Sequence, residues 1–215
     1  MKKKPVLLIF AFLFSQALFG LNLSFQAGFA PSIIINTSDG TQSAVSPVVY
    51  PVNFSVNLKI KDHFYFEPRL SFFWYYTLMT ERGCYPAEIE NRTGTALSFL
   101  VDLPVGYTKT FGEKHLIQAG AGPSILSRFA FLSNNVNADD WGATGSAADD
   151  INAINSWFWD KAQFLYIKAH FLYLYQINES IKIGPELSFY LPIGSFIDSK
   201  PMNNSIISAG LTVRF

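Results

Sequence analysis

The chain has 215 residues, 49% hydrophobic, 16% aromatic and only 15% charged, against about 25% charged in a soluble domain. Phe 21, Tyr 10 and Trp 4 bring far more buriable surface than a disordered chain holds. Sixteen basic residues cancel sixteen acidic ones, so no basic excess argues for a nucleic-acid partner. The lone Cys84 excludes an internal disulfide framework and a multi-cysteine metal site.

The first element is an address. Lys2, Lys3 and Lys4 precede an apolar run from Pro5 to Phe14, and small residues follow at Ser15, Ala17 and Gly20. Residues 1–20 are expected to be a cleaved signal peptide, because ten apolar residues are too few to cross about 30 Å of hydrocarbon. Without its three lysines the remainder, residues 21–215, carries 13 bases against 16 acids.

From Leu21 onward the dominant period is two. The first strand sets Leu21, Leu23, Phe25, Ala27, Phe29, Ile33 and Ile35 against Asn22, Ser24, Gln26, Gly28 and Ser32. The second sets Val48, Tyr50, Val52, Phe54, Val56, Leu58 and Ile60 against Asn53, Ser55, Asn57 and Lys59. In the third, Phe64, Phe66, Leu70, Phe72, Trp74 and Tyr76 oppose Glu67, Arg69 and Ser71. The fourth, Leu97 to Thr108, and the fifth, Ile117 to Phe129, turn Ser98, Asp102, Gly106, Gln118, Gly120, Gly122, Ser124 and Arg128 to their polar faces. The sixth, Leu165 to Gln176, and the seventh, Ile181 to Leu191, do the same with Lys168, His170, Lys182, Glu186 and Tyr190. The eighth alternates Ile207, Ala209, Leu211, Val213 and Phe215 with Ser208, Gly210, Thr212 and Arg214.

Connections alternate too. Short turns follow the second, fourth and sixth strands, and long loops at 36–47, 79–94, 133–158 and 192–204 make the other joins. Short turns at one rim and long loops at the other is the arrangement of an outer-membrane barrel. A soluble β-sandwich or lipocalin-like barrel also alternates, but it turns its apolar face inward. Here the non-apolar face is rich in Gly, Ser, Asn and Gln, which suit a narrow barrel interior, while Leu, Phe and Val suit lipid. One conflict stands: Pro31, Pro51, Pro68, Pro104, Pro123 and Pro185 fall inside these strands, and each lacks a ladder donor.

The alternating run that ends on Phe215 resembles the terminal strand that the barrel-assembly machinery recognises in outer-membrane proteins. With the signal segment and eight strands, the chain resembles the small barrel group of the OmpA transmembrane domain, OmpX and OmpW. That resemblance implies an all-β, eight-stranded antiparallel up-and-down transmembrane barrel, integral to the outer membrane of a diderm bacterium. Its implied partners are outer-membrane lipid and the assembly machinery. It brings no catalytic motif and no cofactor.

Charge placement carries the functional expectations. The long loops hold Asp39, Glu81, Glu88, Glu90, Asp139, Asp140, Asp149, Asp150 and Asp198 against Arg82, Arg92 and Lys200. The inward faces hold Lys59, Arg69, Arg128, Lys168, Lys182 and Arg214 against Glu67, Asp102 and Glu186, an excess of three positive charges. At mid-height Glu67, Arg69, Asp102, Lys168, His170 and Glu186 are expected to form a belt of ion pairs, with Arg69 and Asp102 as one pair. The belt reads either as a structural plug in a surface or interaction protein, or as the constriction of a narrow channel for small or amphipathic solutes. A lipid A-modifying enzyme would need a histidine near the loops. His63 and His115 sit instead at short turns, and His170 faces inward. The pairs Asp139-Asp140 and Asp149-Asp150 lack EF-hand spacing and read as a solvated acidic loop. Tyr50, Trp74, Tyr76, Trp157 and Trp159 near the loops, and Phe64, Tyr107, Phe111 and Phe215 near the turns, read as two interfacial girdles.

Overall fold

The computed structural model describes residues 23–35, 48–80, 83–86, 94–142, 145–160, 162–197 and 202–215. The expected signal segment, the loop 36–47 and the loop charges Asp39, Glu81, Arg82, Glu88, Glu90, Arg92, Asp198 and Lys200 lie outside the described residues, as does the Trp157 side chain.

The strands in chain order are β1 (Leu23–Phe29), β2 (Ser32–Ile34), β3 (Val48–Val49), β4 (Val52–Lys61), β5 (Phe64–Phe66), β6 (Arg69–Thr80) and β7 (Gly83–Pro86). There follow β8 (Gly94–Asp102), β9 (Val105–Phe111), β10 (His115–Leu132), β11 (Leu165–Gln176), β12 (Lys182–Pro192) and β13 (Ile206–Arg214). All pair antiparallel in one sheet, and the ring closes where β13 pairs β1 and β10 pairs β11. Four wall strands are broken once each, into β1 with β2, β3 with β4, β5 with β6, and β8 with β9. Together with β10, β11, β12 and β13, the described residues therefore make an eight-stranded up-and-down barrel. Closure joins the first and last wall strands, which is what lets a sheet sit in hydrocarbon, and β7, paired only to β6, stands outside the ring.

The breaks resolve the proline conflict. They fall at Ala30-Pro31, Tyr50-Pro51, Glu67-Pro68 and Leu103-Pro104. A proline lacks only the donor, and its carbonyl still serves the ladder. The amides of Ala209, Ala30, Val56, Glu67 and Leu103 bond the carbonyls of Pro31, Pro51, Pro68, Pro104 and Pro123 at 3.0–3.2 Å. Pro123 and Pro185 lie within β10 and β12 without breaking them. The prolines are thus built into the wall rather than confined to its ends.

Outward positions are apolar and uncovered: Phe54, Trp74, Leu187 and Leu211 are each 57–59% exposed. Their inward neighbours Ser55, Phe73, Glu186 and Thr212 are buried. That inversion of a soluble protein's pattern is explained by lipid around the wall. Tyr50, Trp74, Phe64, Tyr107, Phe111 and Phe215 of the two girdles all stand exposed on the outside.

Two loop expectations need correction. The segment 79–94 is not wholly loop, because β6 runs on to Thr80 and pairs β7 as a hairpin, with Met79 opposite Cys84. The segment 133–158 carries a helix, α1 (Ala147–Asp160), and a short helix α2 (Ile193–Ile197) follows β12. The signal for α1 was in the sequence. Ser146 caps the helix and Asp149 reaches back: the Ser146 amide and hydroxyl donate to the Asp149 carboxylate at 2.9 and 2.8 Å, and the Asp149 amide donates to Ser146 Oγ at 3.2 Å. This is a capping box, after which Ala147, Ile151, Ile154 and Phe158 follow at spacings of four, three and four and are all buried. Asp149 therefore caps a helix while staying exposed, and Asp150 beside it is buried, so the Asp149-Asp150 pair is not simply part of a solvated acidic loop. The Asp149 carboxyl is held below the usual range by those donors.

Candidate functional site

The lumen is the one interior of the barrel, and alternation alone decides which side chains enter it. It is filled in two different ways. In the half nearer the long loops, Ile34, Val49, Phe73, Leu100, Leu126, Tyr166, Tyr190 and Ile206 pack around Phe158 of α1. Arg128 lies beneath this helix, with its guanidinium carbon 4.3 Å from the centroid of the Phe158 ring and Nη1 3.1 Å from the Tyr75 hydroxyl. At this end the lumen is therefore apolar, unlike the polar interior that the inward Gly, Ser, Asn and Gln suggest. The short loop-end positions of the inward faces are apolar, and a loop helix folds back to complete them.

At mid-height the lumen is ionic. Arg69 Nη2 lies 2.7 Å from Glu67 Oε1, and Arg69 Nη1 lies 2.5 Å from Glu186 Oε1. Lys168 Nζ lies 2.7 Å from Asp102 Oδ2 and 4.0 Å from Glu186 Oε1. Since β6 and β12 stand on opposite sides of the eight-strand ring, the Arg69–Glu186 pair spans the lumen. Arg69 and Asp102 do not form the expected ion pair, although they are register partners across β6 and β8. Arg69 is long enough to reach both glutamates, and Lys168 takes Asp102.

The belt also recruits residues outside the expected six. Gln26 and Asn57 donate to Glu67 Oε2 at 2.8 and 3.0 Å, Thr212 donates to Glu186 Oε2 at 2.7 Å, and the Tyr190 hydroxyl donates to Asp102 at 3.1 Å. Arg214 Nη2 lies 3.9 Å from Glu67 Oε2, 3.2 Å from the Gln26 carbonyl oxygen, and against that of Gln118. Their inward parity was the signal available; side-chain reach across the lumen was not.

His170 enters through a device of its own. Tyr65, Gly106, Gly120 and His170 are successive register partners across β5, β9, β10 and β11. With no side chain on either glycine, the Tyr65 ring lies across both strands and its hydroxyl meets His170 Nε2 at 2.9 Å. A Cβ on Gly120 would stand 2.6 Å from that hydroxyl and 3.0 Å from His170 Cε1. The other histidines are far from the loops: His63 is in the turn after β4, and His115 opens β10 with Nδ1 2.7 Å from the Tyr173 hydroxyl.

No family model matches the chain, and no curated protein matches it in sequence. Among solved structures the barrel is similar to Neisserial surface protein A, with TM-score 0.56 and 10% identity over 89% of this chain and 95% of that one. It is similar also to the outer membrane protein OprG from Pseudomonas aeruginosa, with TM-score 0.54 and 9% identity over 90% and 95% of the two chains. A closed ring of eight antiparallel strands, apolar outside and polar or plugged inside, is the fold of the small barrels integral to the bacterial outer membrane.

Proposed function

We propose that this is a non-enzymatic, non-conducting outer-membrane barrel that acts in surface structure or interaction through its long acidic loops, with an extracellular ligand as its partner. The observation that carries this reading is the double filling of the lumen. An apolar plug around Phe158 lies above a crossing layer of ion pairs, and each alone is enough to exclude a hydrated path. No histidine stands among the loops to serve as a base for lipid chemistry. Reconstitution in planar bilayers tests the reading. The expected trace shows no stepwise conductance; steady single-channel steps with anion preference would overturn it in favour of a solute channel.

The terminal strand is proposed as the segment read by the barrel-assembly machinery. Ile207, Leu211 and Phe215 stand exposed on the outer face of β13 and the residue after it, and the Phe215 amide bonds the Phe25 carbonyl at 2.9 Å. Phe215→Asp is expected to lower the outer-membrane level several-fold, whereas Thr212→Ser, which keeps the hydroxyl on Glu186, is expected to leave it unchanged. Equal levels for the two variants would remove this assignment.

A further inference from the structure

The inward faces carry an excess of three positive charges, and the structure shows where it goes. Glu67, Asp102 and Glu186 are matched in the belt by Arg69, Lys168 and Arg214. Arg128 lies under α1. The remaining two, Lys59 and Lys182, stand at the opposite end, in a cavity of about 570 Å³ that opens at the short-turn rim. Neither lysine has an ion pair among the described residues.

The cavity is built rather than merely left over. Its inner wall is Tyr65, Gln118 and Arg214, all buried, and they belong to or adjoin the belt that closes the barrel. Lys182 and Arg214 are register partners across β12 and β13, so two cations face the lumen side by side. Like charges directly opposite on a ladder repel. Arg214 is 95% buried, yet its Nε has no partner, and the hydroxyl of Thr108 in the same wall is buried and unpaired. Lys109 touches the cavity only at its rim, because it has outward parity and its Nζ lies 4.9 Å from the centroid of the outer Phe111 ring. The acids that line the cavity are Asp62 and Glu179, both in turns at the outer rim and both exposed, while the inward cations are Lys59, Lys182 and Arg214.

A multi-oxygen dianion satisfies every element of this arrangement: it bridges Lys182 and Arg214, draws in Lys59, and accepts from Thr108. We infer that the periplasmic mouth of the barrel is a blind binding site for a phosphate-bearing anion. The site ends at the belt, so the ligand is held and not passed. It faces away from the loops, and it stands or falls independently of their role. The phosphate comes either from a soluble phosphorylated molecule or from a lipid headgroup of the inner leaflet beside Phe215.

Calorimetric titration of the folded barrel with pyrophosphate, in low-salt dodecyl maltoside micelles that contain no phosphate, tests the assignment. Saturable one-to-one binding is expected, weakening as salt is added. Lys182→Gln should weaken it at least tenfold and Lys59→Gln several-fold, while Lys114→Gln, on the same rim but outside the cavity, should change nothing. Heat-modifiable gel migration checks that each variant is folded. Absence of binding by the folded wild type, or equal binding by wild type and the Lys182 and Lys59 variants, would overturn the site. Adding short-chain phosphatidic acid then separates the sources. Displacement of pyrophosphate at lower concentration than soluble glycerol phosphate requires assigns the headgroup, and the reverse order assigns the soluble molecule.

Discussion

At the loop end of the lumen Phe73, Leu100, Leu126 and Phe158 meet carbon against carbon, whereas at mid-height Arg69, Glu67, Glu186, Lys168 and Asp102 meet charge against charge. Both fillings are made of buried side chains, but they tolerate different errors. An apolar filling is sensitive to volume and indifferent to most exchanges that keep it. An ionic filling is sensitive to partner identity, because each buried charge must offset a desolvation cost of several kcal/mol through its contacts. The loop end also depends on a helix from outside the wall, while the belt is made wholly by the strands. Deletions in the two halves should therefore fail in different ways.

The largest effect is expected in the belt. Arg69→Ala strands Glu67 and Glu186 together, and the barrel should lose about 3–5 kcal/mol in urea unfolding from micelles. Lys168→Met and Asp102→Asn should each be costly alone and recover part of the loss when combined. Arg69→Ala with Asp102→Asn should show a weaker coupling, because those two share a ladder position and not an ion pair. A stronger coupling for the second combination would break the assignment of partners.

Phe158→Ala is the corresponding test at the loop end. The lost ring should cost about 3 kcal/mol, the low end for a buried aromatic, since α1 is attached by loops and can resettle. Phe158→Leu should recover most of it. Neither variant should conduct, because the belt below remains closed; a channel opened by Phe158→Ala would show that the belt does not seal the lumen by itself.

A smaller loss, about 1–2 kcal/mol, is expected for Tyr65→Phe, which keeps the ring over Gly106 and Gly120 but leaves His170 Nε2 buried without its partner. Gly120→Ala tests the same row sterically and should perturb it more, through the Tyr65 hydroxyl and His170.

The smallest effect belongs to the cap of α1. Ser146→Ala should cost that helix about 1 kcal/mol, read as faster amide exchange over 147–160 with the wall unaffected. The same segment should respond to pH. The Asp149 carboxyl is held low by the donors of Ser146, so the folded helix binds a proton less readily than the unfolded segment. Its stabilisation is present above the ordinary carboxylate range and is lost as pH falls through and below it. Protection factors over 147–160, taken relative to the intrinsic exchange rate at each pH, should fall on acidification, and Asp149→Asn should abolish the change.

What the residues determined by themselves was the wall. Alternation is local, since a strand's successive side chains must point to opposite faces, so Phe54 could be assigned to lipid and Ser55 to the lumen from parity alone. The same parity placed Glu67, Asp102 and Glu186 inside before any partner was known. The helix α1 is written in the capping box Ser146–Asp149 and the stripe Ile151, Ile154, Phe158, but these lie in a long inter-strand segment where the lapse of period two alone suggests a loop. Partner choice was not legible. Arg69 and Asp102 are neighbours in register, yet which carboxylate a long side chain meets depends on distances across the closed ring, and those exist only once β13 has paired β1. The prolines teach the same lesson in reverse: read singly, Pro31, Pro51, Pro68 and Pro104 break strands, while in the barrel each carbonyl is taken by the neighbouring strand. Parity is a property of one strand, whereas pairing across a lumen, the ring of Tyr65 lying over two glycines, and the surplus of Lys59 and Lys182 at one mouth are properties of the closed barrel.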